Sequence, residues 1–121
     1  FDLVLEKSEL MRNDTPSIRR CLKLVNRLLK PREGLMFSLQ WFSEKWLSTL
    51  TDRRTKVDEH TCKFKEGPFK CLGNIHKTTA EHLRELFADF EVLEMQETTG
   101  TDLLPTKDTG YIVLDVVARA R

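Results

Sequence analysis

Glu6, Lys7 and Ser8 follow directly on the apolar run Phe1 to Leu5, and Gln40 and Trp41 follow in the same way on Leu35 to Leu39. Side chains placed just after apolar runs sit where strands hand over to loops, which is where open α/β sheets bind nucleotide-like ligands. The Glu6 carboxylate beside Lys7 can accept hydrogen bonds from an amine, and the pair reads as the candidate catalytic site. Gln40, Trp41 and Trp46 read as substrate-binding residues, since an indole can pack over a methylated or cationic group. His60, Cys62, Cys71 and His76 have metal-ligand chemistry, but their H-x-C and C-x4-H spacing lacks a Cys-x2-Cys knuckle, so no metal site is expected. None of the histidines falls near a predicted strand-end nucleophile, so no triad can be placed.

The elements that must position these residues begin with a strand at Phe1 to Leu5. Thr15 can cap the helix that follows, and Pro16 suits its first position. Ile18, Cys21, Leu22, Val25, Leu28 and Leu29 then recur at helical spacing. Pro31 stops that helix and Gly34 turns the chain into a second strand, Leu35 to Leu39. Two buried strands joined by a helix predict a parallel pair, because such a crossover needs a dozen or more residues and packs back right-handed. Gln40 to Leu47 reads as a loop leading into a short helix, and the polar stretch Arg53 to Lys65 as an irregular, mobile insertion. Thr78 with Glu81 forms a capping box for a helix with Leu83, Leu86 and Phe87 on its buried side. Phe90 to Gln96 and Tyr111 to Val117 read as strands. With only the loop Thr98 to Gly110 between them, they pair antiparallel.

Phe1-Asp2-Leu3-Val4-Leu5-Glu6-Lys7, a capped helix, and Arg27-Leu28-Leu29-Lys30-Pro31 before a strand resemble the fourth strand, following helix and fifth strand of class I S-adenosylmethionine-dependent methyltransferases. Thr79 to Phe87, Phe90 to Leu93 and Tyr111 to Ala118 are similar to that family's last helix, sixth strand and seventh strand. Leu5-Glu6-Lys7 followed by Leu10 most resembles the methyltransferase-like protein-lysine enzymes, although Ser8 and Glu9 stand where those have a small residue and threonine. Arg32-Glu33-Gly34 likewise departs from the family's paired glycines.

The resemblance implies an α/β fold, the carboxyl-terminal half of a Rossmann-like methyltransferase sheet. Its strands would lie in the order first, second, fourth, third, leaving the first as an open edge that invites self-association. Residues 1–39 would form the strand-helix-strand unit, 40–77 a loop or insertion, and 78–121 the last helix and terminal strand pair. It further implies S-adenosylmethionine as cofactor, with Leu5 and Glu6 on the cofactor side, and an acceptor that is a protein lysine or a small molecule. The glycine-rich turn that cradles this cofactor is absent: Gly34, Gly67, Gly73, Gly100 and Gly110 are scattered and no Gly-x-Gly occurs. A non-catalytic α/β interaction module is the rival reading from another class.

The 121 residues suit one domain, smaller than a whole nucleotide-binding fold, and the lack of an initial Met suggests a piece of something longer. With 20 Lys plus Arg against 19 Asp plus Glu, net charge selects no partner class. The basic stripe Arg20, Lys23, Arg27 and Lys30 has no interleaved aromatics and reads as the wet side of a helix, so nucleic acid is not an expected partner. Three cysteines cannot all pair, and no apolar run approaches the ~20 residues of a membrane span. A cytoplasmic protein is expected.

Overall fold

The computed structural model describes residues 1–101 and 110–121. Strand β1, Leu3–Lys7, runs parallel to β2, Leu35–Phe42, in the register Leu3 to Leu35 through Lys7 to Leu39. Helix α1, Thr15–Leu28, crosses between them, with Ile18 and Leu22 buried and Cys21 and Val25 partly buried against the same core. Leu28, expected on that stripe, is instead exposed, and Leu29 just beyond the helix is buried in its place. The cap is Asp14 rather than Thr15: its carboxylate accepts from the Ser17 N–H at 2.9 Å. That leaves the Thr15 hydroxyl and N–H to bond Asp58, at 3.0 and 2.9 Å.

Strand β2 continues three residues beyond Leu39, so Gln40 to Phe42 belong to the sheet rather than to a loop. Beyond the short helix α2, Glu44–Leu47, the stretch expected to be irregular forms a hairpin. Its strands β3, Arg54–Asp58, and β4, Thr61–Phe64, are antiparallel, and β5, Asn74–His76, adds to β4. The physical reason is non-local. Cys62 and Phe64 bury their side chains with Ile75, and β4 takes its second neighbour from a strand well downstream.

Helix α3, Ala80–Leu86, is capped by Thr79, whose hydroxyl accepts from His82 N–H at 3.1 Å. Thr78, expected as the cap, instead donates its hydroxyl to the Phe42 carbonyl and bridges the two sheets with Ser43. Strands β6, Phe90–Thr101, and β7, Gly110–Ala120, pair antiparallel and are longer than the sequence suggests. The expected loop Thr98 to Gly110 is therefore strand to Thr101 and again at Gly110, and its remainder, 102–109, lies outside the described residues.

The main sheet has the order β1-β2-β7-β6, with β7 antiparallel between β2 and β6. Met36 and Trp41 of β2, Leu114, Val116 and Ala118 of β7, and Leu83, Leu86 and Phe87 in and after α3 share one core with α1. By alternation, Leu3 and Leu5 point the other way on an unpaired edge and are 55% and 67% exposed.

Candidate functional site

The carboxyl ends of β1 and β2 lie side by side, so Glu6, Lys7, Ser8 and Gln40 meet as the sequence implies. Their chemistry is less open than their position. Glu6 Oε2 accepts from the backbone N–H groups of Glu9 and Leu10 at 2.9 and 3.1 Å, and Oε1 accepts from the Ser38 hydroxyl at 2.5 Å. Ser38 is fully buried and accepts in turn from the Trp41 indole N–H at 2.8 Å. Glu6 is thus the outer end of a chain that begins inside the core and fixes the turn after β1. Leu5 and Lys7 are exposed.

Trp41 is 1% exposed, packed edge-on with His76 and Phe87, and has no free face for a ligand. Trp46, on α2, is half-buried. Its ring meets Phe42 and Phe69 edge-to-face, at 5.1 and 5.8 Å between centroids. These rings wall a cleft of about 510 Å³ that Leu50 and Tyr111 complete and that Gln40 enters from the strand end.

Gln40 occupies the left-handed backbone region, φ 64°, as does Ser8 at 61°. Non-glycine residues are strained there and stay only where neighbours hold them. For Gln40 the holds are explicit: its N–H donates to Asp115 Oδ1 at 2.9 Å, and its side-chain Oε1 accepts from Ser8 at 2.8 Å. The register of β2 against β7 shifts between Ser38 and Trp41, so Gln40 is the extra residue of a bulge.

The histidines come together in a way no sequence window displays. His76 Nδ1 lies 3.0 Å from Thr61 Oγ1, His76 Nε2 lies 2.7 Å from His82 Nε2, and the His60 ring stacks on His82 at 3.6 Å. A neutral imidazole has one N–H and one bare nitrogen, so a single proton lies between the two Nε2 atoms, held by either His76 or His82. His82 Nδ1 is buried with no hydrogen-bond partner among the described residues, the Glu85 carboxylate lying 3.8 Å away. Burial, then the neighbouring His82, pushes His76 down to about 3, and burial with His60 lowers His82 as well. Burial alone would raise Asp58, but the N–H groups of Thr15 and His60 and the Thr61 and Thr15 hydroxyls outweigh it and hold the carboxyl at about 2. Cys62 is buried on β4 and Cys71 is exposed, and among the described residues no group of three His, Cys, Asp or Glu side chains is arranged to hold a metal.

The residues present do not by themselves fit S-adenosylmethionine. A cradle for it needs backbone amides bared by glycines at a strand end. Gly67 and Gly73 serve turns, Gly34 is pressed against Leu29 and Lys30, and Gly100 lies under the Tyr111 ring. The one carboxylate at the end of β1 is already engaged.

No protein-family profile and no curated protein matches the sequence. Solved structures do resemble the fold. An S-adenosylmethionine-dependent methyltransferase from Methanosarcina mazei superposes with a TM-score of 0.69 at 16% identity, over 98% of this chain and 58% of that one. The 1,6-didemethyltoxoflavin-N1-methyltransferase of Burkholderia thailandensis, solved with 1,6-didemethyltoxoflavin and S-adenosylhomocysteine, gives 0.66 at 18%, over 99% and 44%. A methyltransferase from Anabaena variabilis gives 0.64 at 17%, over 97% and 48%. The fold is therefore that of the Rossmann-like methyltransferases, and this chain spans about half the length of those it matches. Among the described residues no helix is long and apolar enough to cross a membrane.

Proposed function

We propose that this chain is the carboxyl-terminal, acceptor-side half of an S-adenosylmethionine-dependent methyltransferase. The observation that carries the reading is the sheet itself. Strand order β1-β2-β7-β6, with the last strand antiparallel between its neighbours, belongs to a fold that superposes on the methyltransferases named above over nearly the whole chain, and a cleft opens at the carboxyl end of β2. Methyl transfer needs chiefly the alignment of an acceptor lone pair with the donor's methyl, so a half that orients the acceptor requires no triad.

Of the two acceptor classes that the sequence leaves open, the site favours a small molecule over a protein lysine. Glu6, the carboxylate that would receive a lysine amine, spends three acceptor positions on Glu9, Leu10 and Ser38. The Burkholderia neighbour, solved with 1,6-didemethyltoxoflavin, is a small-molecule case on the same fold. In this reading Glu6 shapes the floor between the two halves, Lys7 faces solvent beside it, and Gln40 and Trp46 contact the acceptor.

Calorimetry tests the reading. A cradle supplies several charged or backbone contacts worth on the order of 1 to 3 kcal/mol each, and every ~1.4 kcal/mol is tenfold in affinity. The 121 residues alone show no binding of S-adenosylmethionine at sub-millimolar concentration, whereas a chain extended through the preceding strands binds it. An extended chain that fails to bind leaves the non-catalytic interaction module as the better account. Tight binding by the 121 residues would mean that they form a cofactor site of their own.

A further inference from the structure

The cleft beside β2 is ring-lined and has a single fixed amide at its edge, and both features bear on what it takes. Its volume, about 510 Å³, lies within the range of pockets that enclose small molecules. Phe42, Trp46 and Phe69 form a mutually packed cluster, with Phe42 and Phe69 rings 5.6 Å apart, so they present a continuous apolar wall rather than separate faces around a void. Among the described residues no charged side chain lines the cleft. A cation entering it would lose its water and gain no carboxylate in exchange.

Gln40 is the polar exception, and its geometry is directional. The bulge places it on the cleft side, the Asp115 carboxylate holds its backbone N–H, and Ser8 occupies its Oε1. Its Nε2 is left as a hydrogen-bond donor with no partner among the described residues. A residue held in a strained conformation with one donor unspent is arranged to meet a ligand. Among the described residues, the Trp46 indole N–H and the Tyr111 hydroxyl supply the other polar side-chain atoms of the wall.

We propose that this cleft binds an uncharged, planar ring compound carrying a hydrogen-bond acceptor, which the Gln40 amide receives while Trp46, Phe42 and Phe69 cover the ring. The proposal rests on the acceptor-side reading and names the class of molecule that would be methylated. Its binding step needs no cofactor.

Three probes separate the possibilities when titrated by calorimetry into the 121-residue chain: acetylnaphthalene, methylnaphthalene and phenyltrimethylammonium. The first offers a carbonyl to Gln40, the second only a ring, the third a ring with a cation. Acetylnaphthalene binds best, about fivefold tighter than methylnaphthalene, the ratio expected of one neutral hydrogen bond. Gln40→Ala brings the two naphthalenes together. Because alanine is strained at φ 64°, Gln40→Gly, which relaxes that conformation while also removing the amide, is measured in parallel and gives the same convergence. Trp46→Ala weakens both. Preference for phenyltrimethylammonium, an unchanged ratio in Gln40→Gly, or no binding of either naphthalene at sub-millimolar concentration would each overturn the assignment. These outcomes are independent of the cofactor experiment: ring binding can stand where S-adenosylmethionine binding by the extended chain fails, and the reverse.

Discussion

Acidification from about pH 7 to about pH 5 should loosen the packing of the smaller sheet against α3 through the His76–His82 pair. The two Nε2 atoms are 2.7 Å apart, so one proton, and only one, fits between them. Adding a second sets two N–H groups against each other inside the protein, between the stacked His60 ring and the Arg19 guanidinium, with Asp58 and Glu85 as the nearby carboxylates. His76 is accordingly lowered from 6.5 to about 3 on folding, by burial first and by His82 next. A histidine depressed in this way contributes stability that is complete above its unfolded value and is lost as the pH falls toward the folded one. Over that window the unfolded chain holds one proton more, a slope of about 1.4 kcal/mol per pH unit. From pH 7 to pH 5 His76 alone therefore removes about 2 kcal/mol, and His82, shifted the same way, adds to it. That is a large share of the ~5 to 15 kcal/mol of a small domain. The stabilisation from Asp58, held at about 2, is complete throughout this interval and is lost only in stronger acid, as the pH falls below its unfolded value of 3.8.

Urea unfolding at a series of pH values reads this directly. The informative variant is His76→Gln, which keeps hydrogen-bonding groups but cannot titrate. Whatever its stability at neutral pH, its free energy should fall by about 2 kcal/mol less than the wild type's across the same interval. Equal slopes in the two proteins, or a wild type flat between pH 7 and 5, would refute the assignment of the pair as a buried neutral unit.

Two further outcomes concern the open end and edge of β1. Glu6→Ala strips the acceptor from Glu9 N–H, Leu10 N–H and the buried Ser38 hydroxyl, and should cost about 2 to 4 kcal/mol by chemical denaturation; Glu6→Gln should cost less. A loss of turnover in the extended chain with no loss of stability would show instead that Glu6 meets the acceptor. The unpaired β1 carries exposed Leu3 and Leu5, so the 121-residue chain should self-associate in sedimentation velocity, and Leu3→Lys with Leu5→Lys should return it to a monomer. Monomeric wild type at high micromolar concentration would count against the edge as an association surface.

What could be read from the sequence was whatever a short window contains. Pro16, the apolar spacing behind it and the strand-forming runs on either side made β1, α1 and β2 plain, and the strongly β-forming Ile112 to Val117 did the same for β7. Caps were displaced by one residue because two cap-forming types stand together, Asp14 beside Thr15 and Thr78 beside Thr79, and only the tertiary partners choose between them. Thr15 and Thr78 were each wanted elsewhere, by Asp58 and by the Phe42 carbonyl. The β3–β4 hairpin is not legible in a short window because its apolar support is split between Cys62, Phe64 and the distant Ile75. The three histidines belong to a turn, a strand and a helix, and no spacing rule joins them. A usable signal did exist for the hairpin: Thr55, Val57 and Thr61 are strand formers around the short Glu59-His60 connection.

The fate of the two tryptophans follows from one backbone event. In an unbroken β2, alternation from Met36 and Ser38 would turn Gln40 inward and send Trp41 and its indole to the opposite face. The bulge at Gln40 adds one residue to that count, and every side chain after it changes sides. Trp41 then enters the core to bond Ser38, and Gln40 and Phe42 come to the cleft wall beside Trp46. Asp115 and Ser8, which hold Gln40 in its left-handed conformation, are therefore holding the register of the end of the strand. Removing the Asp115 carboxylate should act on both sides of the sheet at once, freeing Trp41 from its buried site and dispersing the ring wall. Core and cleft are specified by the same strained residue.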